Sequence, residues 1–128
     1  MTRPSPSVLR LLLLDDEALV AIYLEDLLTD LGCEVAHVAG TVASALEFLD
    51  GGEPIDAAIL DVNLGRDTAY PVAAVLTDRR IPFAFATGYG SRGLREGFAG
   101  VPVVDKPFAP GALSVLVEEF RRRAAVSP

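Results

Sequence analysis

The feature that most constrains the fold of this chain is a short apolar run, residues 55–61, that ends in an acid. Small or branched apolar side chains fill residues 57–60, and Asp61 follows them with no helical periodicity beyond it. Such a run, bounded by turn signals, predicts a strand buried on both faces of a parallel sheet. Asp61 would then lie at the carboxyl end of the strand, where open α/β sheets bind their ligands. Taken alone, the same aspartate is also typical of a residue that caps a turn or the next helix.

Composition narrows the class of protein. The chain has 128 residues, 51% of them hydrophobic, which predicts one domain with a substantial core and excludes disorder for its body. The apolar runs are too short to cross a bilayer and residues 1–7 lack the order of a signal peptide, so we expect a cytoplasmic protein without membrane insertion. The net charge of −7 argues against nucleic acid as a partner. Cys33 is the only cysteine, which excludes an internal disulfide and predicts a small buried hydrophobe.

Five apolar segments alternate with five helical patterns along the chain. The strands are predicted at residues 8–14, 34–39, 55–61, 83–86 and 101–104. Short connections and right-handed crossovers favour a parallel sheet with helices on both faces, and the commonest order for five such strands is 2-1-3-4-5. We expect a flexible lead-in at residues 1–7, one domain at residues 8–124 and a tail at residues 125–128.

The helices are predicted from apolar periodicity and end signals. Thr41 can cap the second helix, and Pro71 suits the first turn of the third. A short fourth helix is expected at residues 94–98. The first helix ends at Gly32 and is expected to bury one broad face, made of Leu19, Val20, Tyr23, Leu24, Leu27, Leu28 and Leu31. The last helix is expected to bury Leu113, Leu116, Val117 and Phe120.

Polar side chains follow four of the predicted strands. They are Asp15 and Asp16, Asp61, Thr87 and Lys106. Because the carboxyl ends of parallel strands lie along one edge of the sheet, we expect an anionic pocket there with one cation at its rim. Clustered acids repel each other, and Mg²⁺ would relieve that repulsion while keeping waters for a phosphate. Each residue also has an ordinary interpretation, as a helix cap, a turn hydroxyl or a surface cation, but all of them at one edge favour a site.

Over about residues 8–120 the chain resembles a response-regulator receiver domain. The matching residues are Asp15-Asp16, Asp61, Thr87 and Lys106-Pro107, which are weak motifs separately but specific in this order at these strand ends. The run at residues 82–90, PFAFATGYG, further resembles the FATGUY group of receivers, which are often single-domain proteins.

This resemblance implies a flavodoxin-like (βα)5 fold and a phosphoacceptor in a two-component system or phosphorelay. Asp61 would accept a phosphoryl group from a sensor histidine kinase, with a histidine phosphotransfer protein as another candidate partner. Lys106 would pair with one phosphoryl oxygen and Thr87 with another. The protein would then signal to a downstream target by contact or phosphate transfer, and it would not be a multiple-turnover enzyme.

The resemblance also implies how Mg²⁺ would be held. Asp16 and Asp61 would bind the ion directly, Asn63 through its backbone carbonyl and Asp15 largely through water. Members of this family usually have a cis peptide bond at the position of Lys106-Pro107.

Three positions near the site differ from the family pattern or modify it. Val103 stands where receivers commonly carry an aromatic switch residue, and Leu64-Gly65 replaces a common Met-Pro pair. Tyr89, the second residue after the threonine, would flank the approach of the water that hydrolyses the acyl phosphate.

Competing interpretations depend on features that this chain lacks. A haloacid-dehalogenase-like phosphatase would need a second aspartate at Asn63 and a longer chain, and a receiver that works without phosphorylation would have lost an acid, the threonine or the lysine. Residues 88–93 match GxGxxG but follow the fourth strand rather than the first, so a dinucleotide site is disfavoured. His37 is interpreted as a structural residue of an edge strand. The run at residues 121–123 is interpreted as the basic end of the last helix.

Overall fold

A computed structural model describes residues 8–65, 67–88, 98 and 100–126 of the chain. Three predicted features lie outside these residues: the lead-in at residues 1–7, Tyr89, and the short helix at residues 94–98 apart from Phe98. The strands are β1 (Leu9–Leu14), β2 (Cys33–Ala39), β3 (Ala57–Asp61), β4 (Asn63–Leu64), β5 (Asp67–Thr68), β6 (Phe83–Thr87) and β7 (Val103–Asp105). The helices are α1 (Ala18–Asp30), α2 (Val42–Asp50), α3 (Tyr70–Asp78) and α4 (Pro110–Val126).

Five of the strands form one parallel sheet in the order β2-β1-β3-β6-β7. With the short β4–β5 hairpin set aside, this is the predicted order 2-1-3-4-5, and the predicted fold class is confirmed. Strands β1 and β3 lie at the centre, where the chain reverses its direction of winding and the carboxyl ends leave a crevice.

The sheet has a hydrophobic core on each face. Alternate residues of β1 point to opposite sides, so that Leu11 packs with α1 and α4 while Leu12 packs with α2 and α3. All five residues of β3 are buried, which confirms the prediction of a strand covered on both faces. The strand begins at Ala57 rather than residue 55, and the preceding Asp56 is joined to β1 by a hydrogen bond from the Arg10 backbone N–H to its carboxylate at 2.9 Å.

Helix α1 buries a narrower stripe than predicted. Leu24 and Leu28 are buried, but Leu19 is 81% exposed and Tyr23 is 48% exposed, so the prediction was wrong for these two residues. Ile22 lies beside them and is also exposed. The helix is apolar on more than one side, and only the sheet determines which side packs inward.

The predicted helix ends are mostly confirmed. The Thr41 hydroxyl accepts a hydrogen bond from the Ser44 backbone N–H at 3.1 Å, and Pro71 lies in the first turn of α3. Gly32 follows α1 with a φ of +86°, a conformation that glycine adopts without strain. The four predicted core residues of α4 are all buried. This helix continues to Val126, and Arg123 lies in its last turn, which agrees with a basic end of the helix.

The surroundings of His37 and Cys33 agree with the roles predicted for them. His37 lies on the edge strand β2, stacks on Phe48 with ring centroids 4.7 Å apart and has Nε2 3.3 Å from the Ser44 hydroxyl, which supports a structural role. Cys33 is buried, as predicted, and burial raises the pKa of its thiol despite the nearby charge of Arg121. None of the described helices has the length and apolar character needed to span a membrane.

Candidate functional site

The carboxyl edge of the sheet brings the predicted site residues together. Asp15 and Asp16 follow β1, Asp61 ends β3, Thr87 ends β6 and Lys106 follows β7. Asp15, Asp61 and Thr87 are buried, and they are the buried polar side chains of the described residues. Asp16 is exposed, so one carboxylate of the group faces solvent. The pocket therefore has buried acids at its base and an exposed acid at its mouth.

The Lys106 ammonium lies between the two buried carboxylates. Its Nζ is 3.0 Å from Asp15 Oδ2 and 3.1 Å from Asp61 Oδ2. These are short, charge-assisted contacts in a site where little water enters, so they are stronger than an exposed ion pair. The lysine thus neutralises part of the charge that the clustered acids accumulate.

The second oxygen of each buried carboxylate is held by the backbone two residues further along. Asp15 Oδ1 accepts a hydrogen bond from Glu17 N–H at 2.9 Å, and Asp61 Oδ1 accepts one from Asn63 N–H at 3.2 Å. Both are short Asx turns, which aspartate forms readily. They fix each carboxylate so that Oδ2 faces Lys106. Glu17 precedes α1, and no side chain caps that helix, so Asp15 is not its N-cap.

The electrostatics of the pocket follow from burial and from these contacts. Burial raises the pKa of Asp61, and the neighbouring Asp15 charge adds to this, while the hydrogen bond and charge of Lys106 partly offset it. Burial alone would lower the pKa of Lys106, but its hydrogen bonds to Asp15 and Asp61 together with the negative charges of these two acids outweigh burial and raise it. The lysine is therefore a permanent cation near neutral pH, beside a carboxylate whose charged form is destabilised by its surroundings.

Backbone contacts join the last two strand ends. Thr87 pairs with Asp105 across β6 and β7, and the Thr87 carbonyl accepts a hydrogen bond from Lys106 N–H at 3.0 Å. The Lys106–Pro107 peptide bond is cis, as predicted. The threonine and the lysine therefore hold fixed positions relative to each other on the same side of Asp61.

The acidic group is chemically suited to a hard divalent cation. One carboxylate oxygen from each of Asp15, Asp16 and Asp61 lies within 4.8 Å of the others. Oxygen ligands and an open, solvent-facing side are what Mg²⁺ requires, since it keeps several waters. Asn63 lies next to this group at the start of β4, and its N–H is already bonded to Asp61. The residues present fit a magnesium ion.

An apolar groove that the sequence did not predict opens beside the site. It has a volume of about 430 Å³ and lies between α1 and the chain after β7. Its walls come from Glu17, Leu19, Val20, Tyr23, Lys106, Pro107 and Phe108. The sequence placed Leu19 and Tyr23 on the buried face of α1, so it gave no signal that distinguishes this groove from the core.

The hairpin after Asp61 was also not predicted. Asn63 pairs with Thr68 and Leu64 with Asp67 in antiparallel register. Leu64 is buried, and Gly65 turns the chain with a φ of +67°, which explains a glycine at this position. The Ala69 N–H bonds the Val62 carbonyl at 3.3 Å and closes the loop. The hairpin thus forms the rim of the pocket on the side of Asn63.

Comparison with known proteins assigns the family. No protein-family model matches the chain. The solution structure of SdrG from Sphingomonas melonis Fr1 is 38% identical, with 90% of this chain and 98% of that chain covered and a TM-score of 0.78. A response regulator receiver protein from Sinorhizobium medicae is 27% identical, with 91% of this chain and 97% of that one covered and a TM-score of 0.76. The chain belongs to the response-regulator receiver family.

Two further relatives agree with this receiver assignment. The receiver domain of the PhyR response regulator from Erythrobacter litoralis is 27% identical over 89% of this chain and 90% of that one, with a TM-score of 0.75. The transcriptional regulatory protein PdtaR of Mycobacterium tuberculosis is 30% identical over 112 residues, which are 87% of this chain. The receiver spans about half the length of this curated relative, 50%.

Proposed function

We propose that this receiver is a cytoplasmic phosphoacceptor of a two-component system or phosphorelay, with Asp61 as the acceptor. The observation that carries the proposal is the placement of Asp61, with Lys106 Nζ 3.1 Å from Oδ2 and the N–H of Asn63 on Oδ1. A carboxylate fixed in this way can attack phosphorus without first having to be ordered. The run at residues 82–90 supports placing the chain in the FATGUY group of receivers.

The proposed reaction moves one phosphoryl group. An Asp61 oxygen attacks the phosphorus on a histidine of the donor, the P–N bond breaks, and the departing imidazole keeps the electron pair and takes up a proton. Lys106 pairs with one phosphoryl oxygen and the Thr87 hydroxyl donates to another, which stabilises charge on the transferred group. The product is an acyl phosphate that the protein hydrolyses slowly. Each chain therefore accepts one phosphoryl group and does not act as a multiple-turnover enzyme.

The proposed metal is Mg²⁺. Asp16 and Asp61 would hold it directly, Asn63 through its carbonyl and Asp15 largely through water. When bound, it would neutralise charge on the carboxylates and on the phosphoryl group. The Asp16 carboxylate is exposed to solvent, which suits an ion that retains some of its bound waters.

The proposed donor is a sensor histidine kinase or a histidine phosphotransfer protein. Its histidine must reach Asp61, so the donor must cover the surface around the pocket. Leu19, Ile22 and Tyr23 are exposed on α1, and the groove below Leu19 and Tyr23 is continuous with Lys106. Neighbouring apolar side chains left in water are typical of an interaction surface. A downstream target would receive the signal by contact or by onward phosphate transfer.

The experiment that tests this function is incubation with acetyl phosphate and Mg²⁺, followed by the mass of the intact chain. We expect one added phosphoryl group, lost in Asp61→Asn and on chelation of the metal, and retained in Asp67→Asn, a matched change at an exposed acid. Absence of added mass with every donor tried, or its persistence in Asp61→Asn, would remove the proposal.

The same samples separate a receiver from a phosphatase. A phosphatase would release many equivalents of phosphate per chain from p-nitrophenyl phosphate, whereas a phosphoacceptor consumes about one equivalent of donor and then turns over slowly. Asn63, where a phosphatase of the rival class needs an aspartate, supports the second outcome.

A further inference from the structure

We infer that a cleft between α1 and the end of β2 receives a basic side chain, an arginine or a lysine, of the phosphodonor protein. This cleft has a volume of about 270 Å³ and lies on the opposite side of α1 from the groove beside Lys106. The inference rests on the proposed function, because the donor is the partner that must cover this surface. It goes further by naming the chemistry that the surface recognises.

The walls of the cleft are apolar along most of their length. One wall comes from α1 and the other from β2, and they contain Ala18, Ala21, Ile22, Glu25 and Val38. The four residues of α1 are separated by three, four and seven positions, so they share one face of the helix. Ile22 is 55% exposed and Val38 is 37% exposed, so apolar surface is left in water on both walls. Such walls suit the methylene stem of a long side chain whose head group is charged.

Carboxylates lie at both ends of this apolar stretch. Asp16 is at the end next to the phosphoacceptor pocket, and Glu25 is about two helical turns, or about 10 Å, beyond Ala18. Neither Asp16 nor Glu25 forms an ion pair within the described residues. Since Asp16 is proposed to bind Mg²⁺, Glu25 is the acid that remains for a second cation. A basic head group whose stem lies on Ile22 and Val38 would meet Glu25 at the end away from the metal.

The surrounding sequence supplies no cation to neutralise these acids. There is no arginine or lysine between Arg10 and Arg66, a stretch that contains α1, β2, α2 and β3. Lys106 contacts Asp15 but lines the groove on the other side of α1 and not this cleft. Charge complementarity therefore favours a basic occupant from another protein and disfavours an acidic one.

A basic anchor in this cleft has a use in the proposed reaction. Opposite charges speed the encounter of two proteins and reject partners that carry an acid at the same position. The cleft would also give the donor a second point of contact besides the groove at Leu19 and Tyr23. Two separated contacts allow one orientation, in which the histidine of the donor faces Asp61.

The first test is an NMR titration with Nα-acetyl-arginine amide in a buffer that contains Mg²⁺, at constant ionic strength. Nα-acetyl-citrulline amide, which has the same shape but no charge, is the matched probe. We expect the arginine probe to shift the signals of Ile22, Glu25 and Val38, and the citrulline probe to shift them several-fold less. Glu25→Gln should remove the difference between the probes. Asp26→Asn, the same loss of charge at the next residue, which is exposed, should preserve it.

Three outcomes of this titration would overturn the inference. The first is an equal response to the two probes, no response to either included, or a difference that persists in Glu25→Gln. The second is a response centred on Asp16 and Asp61, which would mean a general attraction of cations to the phosphoacceptor pocket. The third is displacement of the probe by Mg²⁺ with shifts at Glu25, which would make the cleft a second metal site. The titration involves no phosphorylation, so its failure is distinguishable from failure of the proposed function.

The second test uses a protein donor. The probe is a purified, autophosphorylated histidine kinase that phosphorylates the wild-type chain. Glu25→Gln should slow phosphotransfer from this kinase several-fold at low salt, and Glu25→Lys should slow it more. Both variants should react with acetyl phosphate at the wild-type rate, and Asp26→Asn should match the wild-type chain with both donors. A change of one basic residue of the kinase to glutamate that restores transfer to Glu25→Lys would support the inference and identify the pair.

The kinetic test separates this inference from the proposed function. Unchanged transfer from the kinase to Glu25→Lys would overturn the inference, and so would equal slowing with the kinase and with acetyl phosphate. Either result would leave Asp61 as the acceptor. Absence of phosphorylation of the wild-type chain by every donor would instead remove the proposed function, and with it the role of the cleft in donor recognition.

Discussion

At the scale of the residue, the acceptor carboxylate is held in an environment that disfavours its charge. Asp61 is buried beside Asp15, and one lysine neutralises only part of their combined charge. We expect Asp61→Asn to stabilise the metal-free protein by on the order of 1 kcal/mol, because the neutral amide removes a poorly solvated charge. Urea unfolding at neutral pH measures this difference. Asp26→Asn, an exposed change on α1, is the matched control and should leave the free energy of unfolding nearly unchanged.

The pH dependence of the same comparison gives a second prediction. Burial raises the pKa of Asp61 in the folded state, so folding opposes its ionisation. The advantage of Asp61→Asn should therefore be complete at neutral pH, where the wild-type carboxylate is charged. It should shrink as the pH falls through the raised pKa toward the ordinary carboxyl range near 4, because the wild-type acid is then neutral as well. An advantage that grows on acidification would contradict the assigned direction.

At the scale of the element, different residues of α1 contribute to stability and to the recognition of a donor. Leu24 packs into the core, whereas Leu19 is 81% exposed and borders the groove beside Lys106. Leu24→Ala should lower the free energy of unfolding by about 2–4 kcal/mol through the cavity it leaves. Leu19→Ser should leave stability within about 0.5 kcal/mol but slow phosphotransfer from a kinase several-fold, with acetyl phosphate still reacting normally. Equal slowing with both donors would place Leu19 in the reaction site rather than on the donor surface.

The terminal helix provides a further prediction at this scale. The Arg121 guanidinium donates to the Leu31 carbonyl at 3.2 Å and so joins α4 to the end of α1. Arg121→Gln should cost about 1 kcal/mol, the usual size of such a hydrogen bond. Arg122 is exposed and pairs only with its helical neighbour Glu119 among the described residues, so Arg122→Gln is the control and should change little. Chemical denaturation of both variants measures the difference.

At the scale of the whole molecule, the sequence was informative where one physical rule acts alone. Buried strands must be apolar on both faces, and parallel strands align their carboxyl ends, so the grouping around Asp61 followed from the five apolar segments, whereas the sheet order was taken from the commonest arrangement of such strands. Where one sequence pattern is compatible with two structures, the sequence alone does not decide between them. Leu19 matches an inward or an outward face of α1 equally well, and only packing against the sheet decides. The contact of Lys106 with Asp15 depends on side-chain conformation, which has no sequence signature.

The whole molecule must also carry the signal away from Asp61, and it lacks an aromatic residue at Val103 for this purpose. Aromatic side chains are instead on β6 itself, where Phe83 and Phe85 pack into the core shared with α2 and α3. Phe98 lies with its ring centroid 5.3 Å from that of Tyr70 and 5.7 Å from that of Phe85, and Tyr70 follows the hairpin that begins beyond Asp61. Thr87 ends the same strand as Phe85, so a displacement of Thr87 would be transmitted along β6 to the rings of Phe85, Phe98 and Tyr70.

Phosphorylation should therefore change the NMR shifts of residues 87–98 and of Tyr70 strongly, and those of Val103 only slightly. Proton–nitrogen spectra before and after acetyl phosphate, with Asp61→Asn as the unreactive control, measure this. Phe98→Leu, which keeps an apolar side chain but removes the ring, should weaken the response at Tyr70 while the phosphorylated mass remains unchanged. Equal responses at Val103 and at residues 87–98, or no response at Tyr70, would mean that the signal leaves the site by another route.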